Sequence, residues 1–267
     1  MKILITGHNG FIGQNLMSYL ETKHEVAGYD FHPENLPLVK DYDWVIHLGA
    51  ISSTTETDVD KVILHNYEFS KWLFNQCNQY NVNMQYASSA SVYGNTKHFK
   101  EDGPSDPKSP YAWSKYLFDR WVTGIHPKII FQGLRYFNVY GPHEEHKGNQ
   151  ASPITKFTKQ AQEEGKITIF TDSENYKRDF ICVSDICKIH EKMFDIKEKG
   201  IYNIGTGKAV SFKQVADLIA KKYNAKIKYI PMPENLKHQY QSYTCANLEK
   251  LNTVLKFEFQ TIEEYLK

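Results

Sequence analysis

The sequence predicts an α/β fold: a doubly wound parallel sheet with helices on both faces, followed by a smaller C-terminal α/β lobe. Three observations predict it. Short apolar runs recur through the first half, each followed by a longer helix-like stretch; the runs are continuous rather than alternating; and the first ends in a glycine-rich loop that opens a helix. Continuous Val/Ile/Leu runs suit strands covered on both faces, and helices between them supply the right-handed crossovers of parallel pairing.

In chain order the runs place strands at 2–6, 24–29, 44–48, 83–87 and 128–134, with helices over 11–20 and 111–122. From about Asn149 the alternation loosens. Helices are expected over 152–164, 185–194 and 212–223, and short strands over 167–170 and 180–183. The stretch 229–243, with Pro231 and Pro233, resists a regular assignment.

Length and composition bound the rest. A chain of 267 residues, 41% hydrophobic and 24% charged, makes one large domain or a domain plus a lobe and buries a core without staples. Its net charge of +1 gives no global field for nucleic acid or an anionic membrane. No apolar run approaches the roughly 18 residues of a spanning helix, and the run from Met1 to Thr6 is too short for a signal-peptide core. Cys77, Cys182, Cys187 and Cys245 form no Cys-x-x-Cys pair or zinc-like spacing. The expectation is a cytoplasmic protein with reduced thiols and no metal.

The first strand runs into Gly7-His8-Asn9-Gly10-Phe11-Ile12-Gly13. Glycines at this spacing make a tight turn, let backbone N–H groups approach a pyrophosphate, and allow close helix-on-strand packing. The helix N-terminus adds partial positive charge at the same place. Asp30 ends the next strand, just past the helix that Gly13 belongs to, where a carboxylate can accept from an adenosine ribose. The pattern predicts a Rossmann-type dinucleotide site. Asp30 would repel a 2′-phosphate, and Phe31, His32 and Pro33 bring no cation to neutralise one, which favours NAD.

Tyr-x-x-x-Lys occurs at Tyr67/Lys71, Tyr93/Lys97 and Tyr111/Lys115, and position separates them. Tyr111 opens a helix just after a Pro-rich loop, downstream of Ser89 at the mouth of the 83–87 strand. Residues i and i+4 share a helix face, so the Lys115 ammonium is expected beside the Tyr111 phenol, lowering its pKa toward working pH. Tyr111 would then exchange the hydroxyl proton as hydride moves, with Ser89 polarising the same oxygen.

These pieces, together with Ala87-Ser88-Ser89-Ala90-Ser91-Val92-Tyr93-Gly94, the run Arg135-Tyr136-Phe137-Asn138-Val139-Tyr140-Gly141-Pro142 and Arg178-Asp179-Phe180, resemble the extended short-chain dehydrogenase/reductase family of nucleotide-sugar epimerases and dehydratases. Dehydratases of the family place Asp-Glu directly after the catalytic hydroxyl residue, whereas Ala90-Ser91 follows Ser89 here. Within the family, Ser52-Ser53-Thr54-Thr55-Glu56, His146-Lys147-Gly148 and the run from Ser173 to Phe180 look like the ADP-glycero-manno-heptose 6-epimerases. A 4-epimerase or reductase acting on another nucleotide sugar is the alternative. A non-catalytic dinucleotide-binding relative is a third reading, disfavoured by the intact Tyr/Lys pair.

The resemblance implies that Tyr111 and Lys147 are acid/base groups on opposite sides of the reacting carbon, with Ser89 and Lys115 assisting. It places Leu48, Gly49, Ala50, Ile51, Ser52, Asn66 and Val139, with Lys115, along the cofactor. Around a nucleotide-sugar substrate it places Asn138, Asn149, Phe170, Thr171, Asp172, Ser173, Arg178 and Tyr240. It implies a homo-oligomer and an NADP preference, against the NAD that Asp30 and Phe31 favour. The same division of labour sets a dinucleotide-binding domain at 1–148 and a substrate lobe at 149–267, with segments free to cross between them. Asn149 and Lys156 depart from the heptose pattern, which carries serine and histidine there.

One more expectation comes from length. Asp30 and Trp44 lie too close in the chain to hold between them the helix and strand that a full Rossmann half carries there. That unit is predicted to be reduced to a loop, leaving a trimmed sheet edge.

Overall fold

A computed structural model describes the chain except residues 33, 54 and 235–240 and the side chain of Asn149. Six strands organise it: β1 (Lys2–Thr6), β2 (Glu25–Tyr29), β3 (Trp44–His47), β4 (Asn83–Ser89), β5 (Phe131–Tyr136) and β9 (Gly200–Ile204). They form one sheet in the order β2-β1-β3-β4-β5-β9, with every neighbouring pair parallel. Both β3 and β5 are buried along their whole length, as strands covered on two faces require.

Crossover helices cover the two faces. On one side α1 (Phe11–Leu20) buries Leu16 and Leu20 against Ile3, Ile5 and Ile46, joined by Cys187 and Phe194 from the chain around α6 (Val183–Met193). On the other, α3 (Phe69–Tyr80) and α4 (Pro110–Gly124) pack Leu73, Phe74, Phe118 and Val122 over Leu4, Val45, Met84 and Phe131. Ser109 caps α4, its side chain accepting from the Ala112 amide, and Pro110 occupies the first turn where a missing N–H costs nothing.

The trimmed edge is borne out. Among the described residues between Tyr29 and Trp44 there is no helix or strand, and β3 pairs directly with β1, leaving β2 at the edge. This segment still closes the core: Val39 is buried with Leu73 and Phe74, and Phe31 packs on Phe69 at a 4.7 Å ring separation.

The C-terminal part adds two small sheets. The strands β6 (Asn138–Tyr140), β8 (Lys177–Cys182) and β10 (Ala209–Ser211) form one, with β8 in the middle; the other pairs β7 (Lys166–Phe170) with β11 (Lys226–Ile230). The helices α5 (Pro153–Glu164) and α7 (Phe212–Tyr223) pack Ile154, Phe157, Val215 and Ile219 against them. The expected strands at 128–134 and 180–183 are shifted. The Lys128 amide is taken by Asn78 and that of Ile130 by Asn83, so β5 begins only at Phe131, while β8 begins earlier than expected, at Lys177. Strand β9, absent from the sequence-based expectations, brings residues from beyond position 148 into the main sheet.

Candidate active site

A cleft of about 570 Å³ opens at the C-terminal ends of β1 and β3, beside the N-terminus of α1. Gly7, Gly10, Phe11, Ile12, Gly13, Asp30, Phe31 and the backbone run Leu48, Gly49, Ala50, Ile51, Ser52 all line it, together with Lys147. Parallel sheets leave such a crevice where the chain turns from strand to helix.

The glycines fit a diphosphate for steric reasons visible here. Gly7 has φ +74°, and a Cβ there would stand 2.5 Å from the Gly49 amide nitrogen; one at Gly13 would stand 2.2 Å from the Gly7 carbonyl oxygen. Gly10 is the N-cap of α1 and offers no side-chain acceptor, so the first-turn N–H groups of this helix are left to a ligand. Asp30 is held in the cleft wall by a hydrogen bond from Asn9 Nδ2, and His8 Nδ1 lies 3.5 Å away without bonding to it. Free first-turn N–H groups and a nearby carboxylate could hold a diphosphate and a ribose hydroxyl.

Asn66 reaches this site indirectly. It lies buried in a π turn (Leu64–Glu68) between α2 (Val59–Ile63) and α3. Its Oδ1 accepts from the Ile51 amide (2.7 Å), while Nδ2 donates to the Ile51 carbonyl (3.0 Å) and to Ser114 Oγ (3.1 Å). The residue expected along the cofactor therefore clamps the backbone that lines the cleft. Val139 likewise lies behind the wall, packed in the cluster that holds Ile12, Leu48 and Ala87.

Ser89, Tyr111 and Lys115 meet at the end of β4. Lys115 is 5% exposed, and its Nζ donates to the carbonyl of Ala87 (2.8 Å), itself a cleft-lining residue. Burial pushes its ammonium down to about 8, with Asp119 one turn along α4 working against that. The expected lowering of the Tyr111 phenol by Lys115 is not what the structure shows. The amine sits 6.0 Å from the ring centre, engaged with Ala87, and burial raises the Tyr111 phenol while a hydrogen bond with Ser89 lowers it. The other two Tyr/Lys pairs are elsewhere: Tyr93 is buried and donates to Asn203 Oδ1 (2.7 Å), and Lys71 lies over the Tyr67 ring at 4.7 Å.

Beneath this group is a buried polar network. Asp119 accepts from Tyr86 Oη (3.0 Å), Ser88 Oγ (2.8 Å) and Arg135 Nε (2.8 Å), and Arg135 continues to Tyr93 Oη (3.0 Å). It fixes β4, α4 and β5 against one another where Ser89 and Lys115 emerge.

Lys147 stands on a short 3-10 turn, Glu145–Gln150, with its Nζ 5.2 Å from the Phe11 ring centre. Burial lowers its ammonium and Glu144, with Oε1 3.9 Å away, opposes this. The same turn contributes His146 and Gln150 to the cleft, and His65 joins from the π turn. The sequence pattern marks none of these three as a site residue; His146 stands in it only as the neighbour of Lys147.

The substrate-side candidates are spread. Phe170 and Ser173 line a second cavity of about 310 Å³ with Lys156, Tyr176 and Phe212, and the Ser173 hydroxyl is buried without a protein partner. Arg178 is buried on β8 with its guanidinium 5.6 Å from the Phe212 ring centre. Thr171 and Asp172 are exposed in the turn after β7, Asp172 with φ +63°, and Asn138 is exposed at the start of β6. Tyr240 and the side chain of Asn149 lie outside the described residues. Among the described residues no cluster of His, Cys, Asp or Glu suits a metal ion, and no helix is long and apolar enough to cross a membrane.

Known proteins share this architecture along nearly the whole chain. An ADP-L-glycero-D-manno-heptose-6-epimerase of Alkalilimnicola ehrlichii is 36% identical over 289 residues, covering 93% of this chain and 90% of its own. The crystal structure of the Helicobacter pylori ADP-L-glycero-D-manno-heptose-6-epimerase superposes with a TM-score of 0.88 at 27% identity, over 99% of this chain and 93% of that one. UDP-glucose 4-epimerase of Thermotoga maritima, solved with UDP-glucose, gives 0.83 at 25% identity, over 100% and 96%. The family described as NAD dependent epimerase/dehydratase matches residues 3–205, and to that family this chain belongs.

Proposed function

We propose that the protein is an NAD-using nucleotide-sugar epimerase that inverts a carbinol carbon by oxidation and re-reduction. The observation that carries this is the convergence on one cleft of the glycine cradle, Asp30, Ala87, whose carbonyl holds Lys115, and Lys147. NAD, when bound, accepts a hydride and later returns it. Gly7, Gly10, Gly13 and the first turn of α1 would hold its diphosphate, and Asp30 its adenosine ribose. With its carboxylate at that ribose and no Arg lining the cleft among the described residues, NAD is preferred to NADP.

The protein's own work is proton handling. Tyr111 takes the carbinol proton on one face and Ser89 polarises the same oxygen. Lys115 keeps the local field positive and anchors Ala87. Lys147 serves the other face, which an epimerase needs because the carbonyl is protonated again after presenting its second side. Arg178, Phe170 and Ser173 hold the nucleotide end of the substrate, so that residues 1–148 carry cofactor and chemistry and 149–267 mostly carry specificity. The enzyme works in the cytoplasm as a homo-oligomer, for which the 47% exposed Trp113 on α4 offers contact area.

For the sugar, the His146-Lys147-Gly148 turn and the similarity to heptose epimerases favour C6 of an ADP-heptose. Similarity to a UDP-glucose 4-epimerase supports C4 of a UDP-hexose as the second reading. Proton NMR of the NAD-loaded protein with ADP-L-glycero-D-manno-heptose and with UDP-glucose decides. Inversion at C6 of the heptose supports the first reading, appearance of the C4 epimer of UDP-glucose the second, and inertness of both substrates contradicts both.

A further inference from the structure

Glu144 is fully buried yet is no part of the chemistry described so far. Its Oε1 accepts from the Ser152 amide (3.0 Å), and its Oε2 accepts from Ser152 Oγ (2.6 Å) and Thr155 Oγ1 (2.5 Å), all in the N-terminal turn of α5. Its carbonyl accepts from the Lys147 amide (2.9 Å), and its Oε1 lies 3.9 Å from Lys147 Nζ. A carboxylate held by three donors cannot swing away, so its charge is fixed beside the one lysine that lines the cofactor cleft among the described residues.

We propose that Glu144 is a positioning residue for Lys147: it anchors the 145–150 turn to α5 and fixes the charge state and place of the amine that works on the second face of the substrate. This deepens the epimerase reading and rests on it for the role of Lys147. A buried carboxylate is costly unless it is both hydrogen-bonded and paired, and here the α5 hydroxyls supply the bonds and the lysine supplies the pair. Lys156 on α5 also feels Glu144, which opposes the lowering of its ammonium by burial. It lines the 310 Å³ cavity with Ser173.

Other titratable groups near Lys147 are Asp30, His65 and His146 in the cleft. From the C-terminal helix Tyr265 faces Glu144, its phenol raised by burial first and then by Cys182 and Glu144. None of these is paired with the Lys147 amine; Glu144 is its ion-pair partner among the described residues.

The test is competitive acetylation of the whole protein across pH, read at Lys147 by peptide mass spectrometry, with exposed Lys159 as the internal control. This readout does not need turnover. Glu144→Gln keeps an acceptor for the hydroxyls and removes the charge, so the Lys147 midpoint falls by about one pH unit while Lys159 stays put. Glu144→Asp keeps the charge and restores most of the midpoint. A midpoint unmoved in Glu144→Gln, or one lowered equally in Glu144→Asp, overturns the proposal and leaves Glu144 as a cap for α5. Turnover distinguishes the underlying reading: if Lys147→Met loses no activity on either nucleotide sugar, the role of Lys147 fails even where the acetylation shift is observed.

Discussion

The two lysines beside the cleft, Lys115 behind Ala87 and Lys147 in its lining, are held by opposite means. Lys115 lies 5% exposed inside a regular helix, braced by a core network of Asp119, Arg135, Tyr86 and Ser88, and its amine is spent on a backbone carbonyl. Lys147 stands on a single 3-10 turn, its side chain 27% exposed, with a capped carboxylate as its support. A group buried in the core is fixed by the fold itself; a group on a turn needs a dedicated anchor. The β4–α4 wall should therefore tolerate little change, and the 145–150 wall should be the adjustable one.

The comparison breaks first at Tyr111. Tyr111→Phe removes the hydroxyl proposed to exchange the substrate proton without changing the ring, and kcat should drop by roughly 10²–10⁴-fold with the fold intact by circular dichroism. Unchanged turnover would move the chemistry to the Lys147 wall.

Next comes the brace. Asp119→Ala leaves the Arg135 guanidinium buried without its carboxylate, and denaturant unfolding should show a loss of about 3–5 kcal/mol. A loss under about 1 kcal/mol would mean that the network does not hold the wall.

The third prediction concerns pH. The folded-state pKa of Lys115 is pushed down to about 8, below the ordinary lysine value of the unfolded chain. Between those values the unfolded chain holds the extra proton, so this residue costs stability below pH 8 and the cost disappears as pH rises toward 10.5. The full effect is about 3 kcal/mol. Lys115→Met should flatten the rise of stability with pH across that window, measured by urea unfolding at both of its ends.

The smallest effect sits behind the cofactor wall. Asn66→Ala frees the Ile51 backbone and leaves its polar groups unpaired, at a cost of about 1–3 kcal/mol, and should weaken NAD binding in calorimetry without altering the pH profile.

What could be read from sequence divides along similar lines. The glycine cradle was legible because only glycine satisfies φ +74° at Gly7 and the close approach at Gly13. The trimmed edge was legible because the chain between Asp30 and Trp44 cannot hold a helix and a strand. Strand β9 was not, since Gly200–Ile204 is short and includes Asn203, whose burial depends on distant partners: Tyr93, Phe99 and Asn247. The π turn that aims Asn66 at Ile51 leaves no compositional trace, so its bonds to the Ile51 backbone could not be read from the sequence. The i, i+4 spacing put Lys115 on the Tyr111 face of the helix but could not show that the Ala87 carbonyl, on a separate strand, takes the amine. The role of Glu144 could not be read from the sequence because its partners, Ser152 and Thr155, join it only once the turn is folded onto α5.

The central claim, oxidation and re-reduction of one carbon with internal return of the hydride, is tested most directly by turnover in D2O. The NAD-loaded protein is incubated with the nucleotide sugar it inverts, ADP-L-glycero-D-manno-heptose or UDP-glucose, and the inverted carbon is read by proton NMR. The account predicts inversion with the carbon-bound hydrogen fully retained. Deuterium at that carbon would contradict it, because the hydrogen would then have passed through solvent.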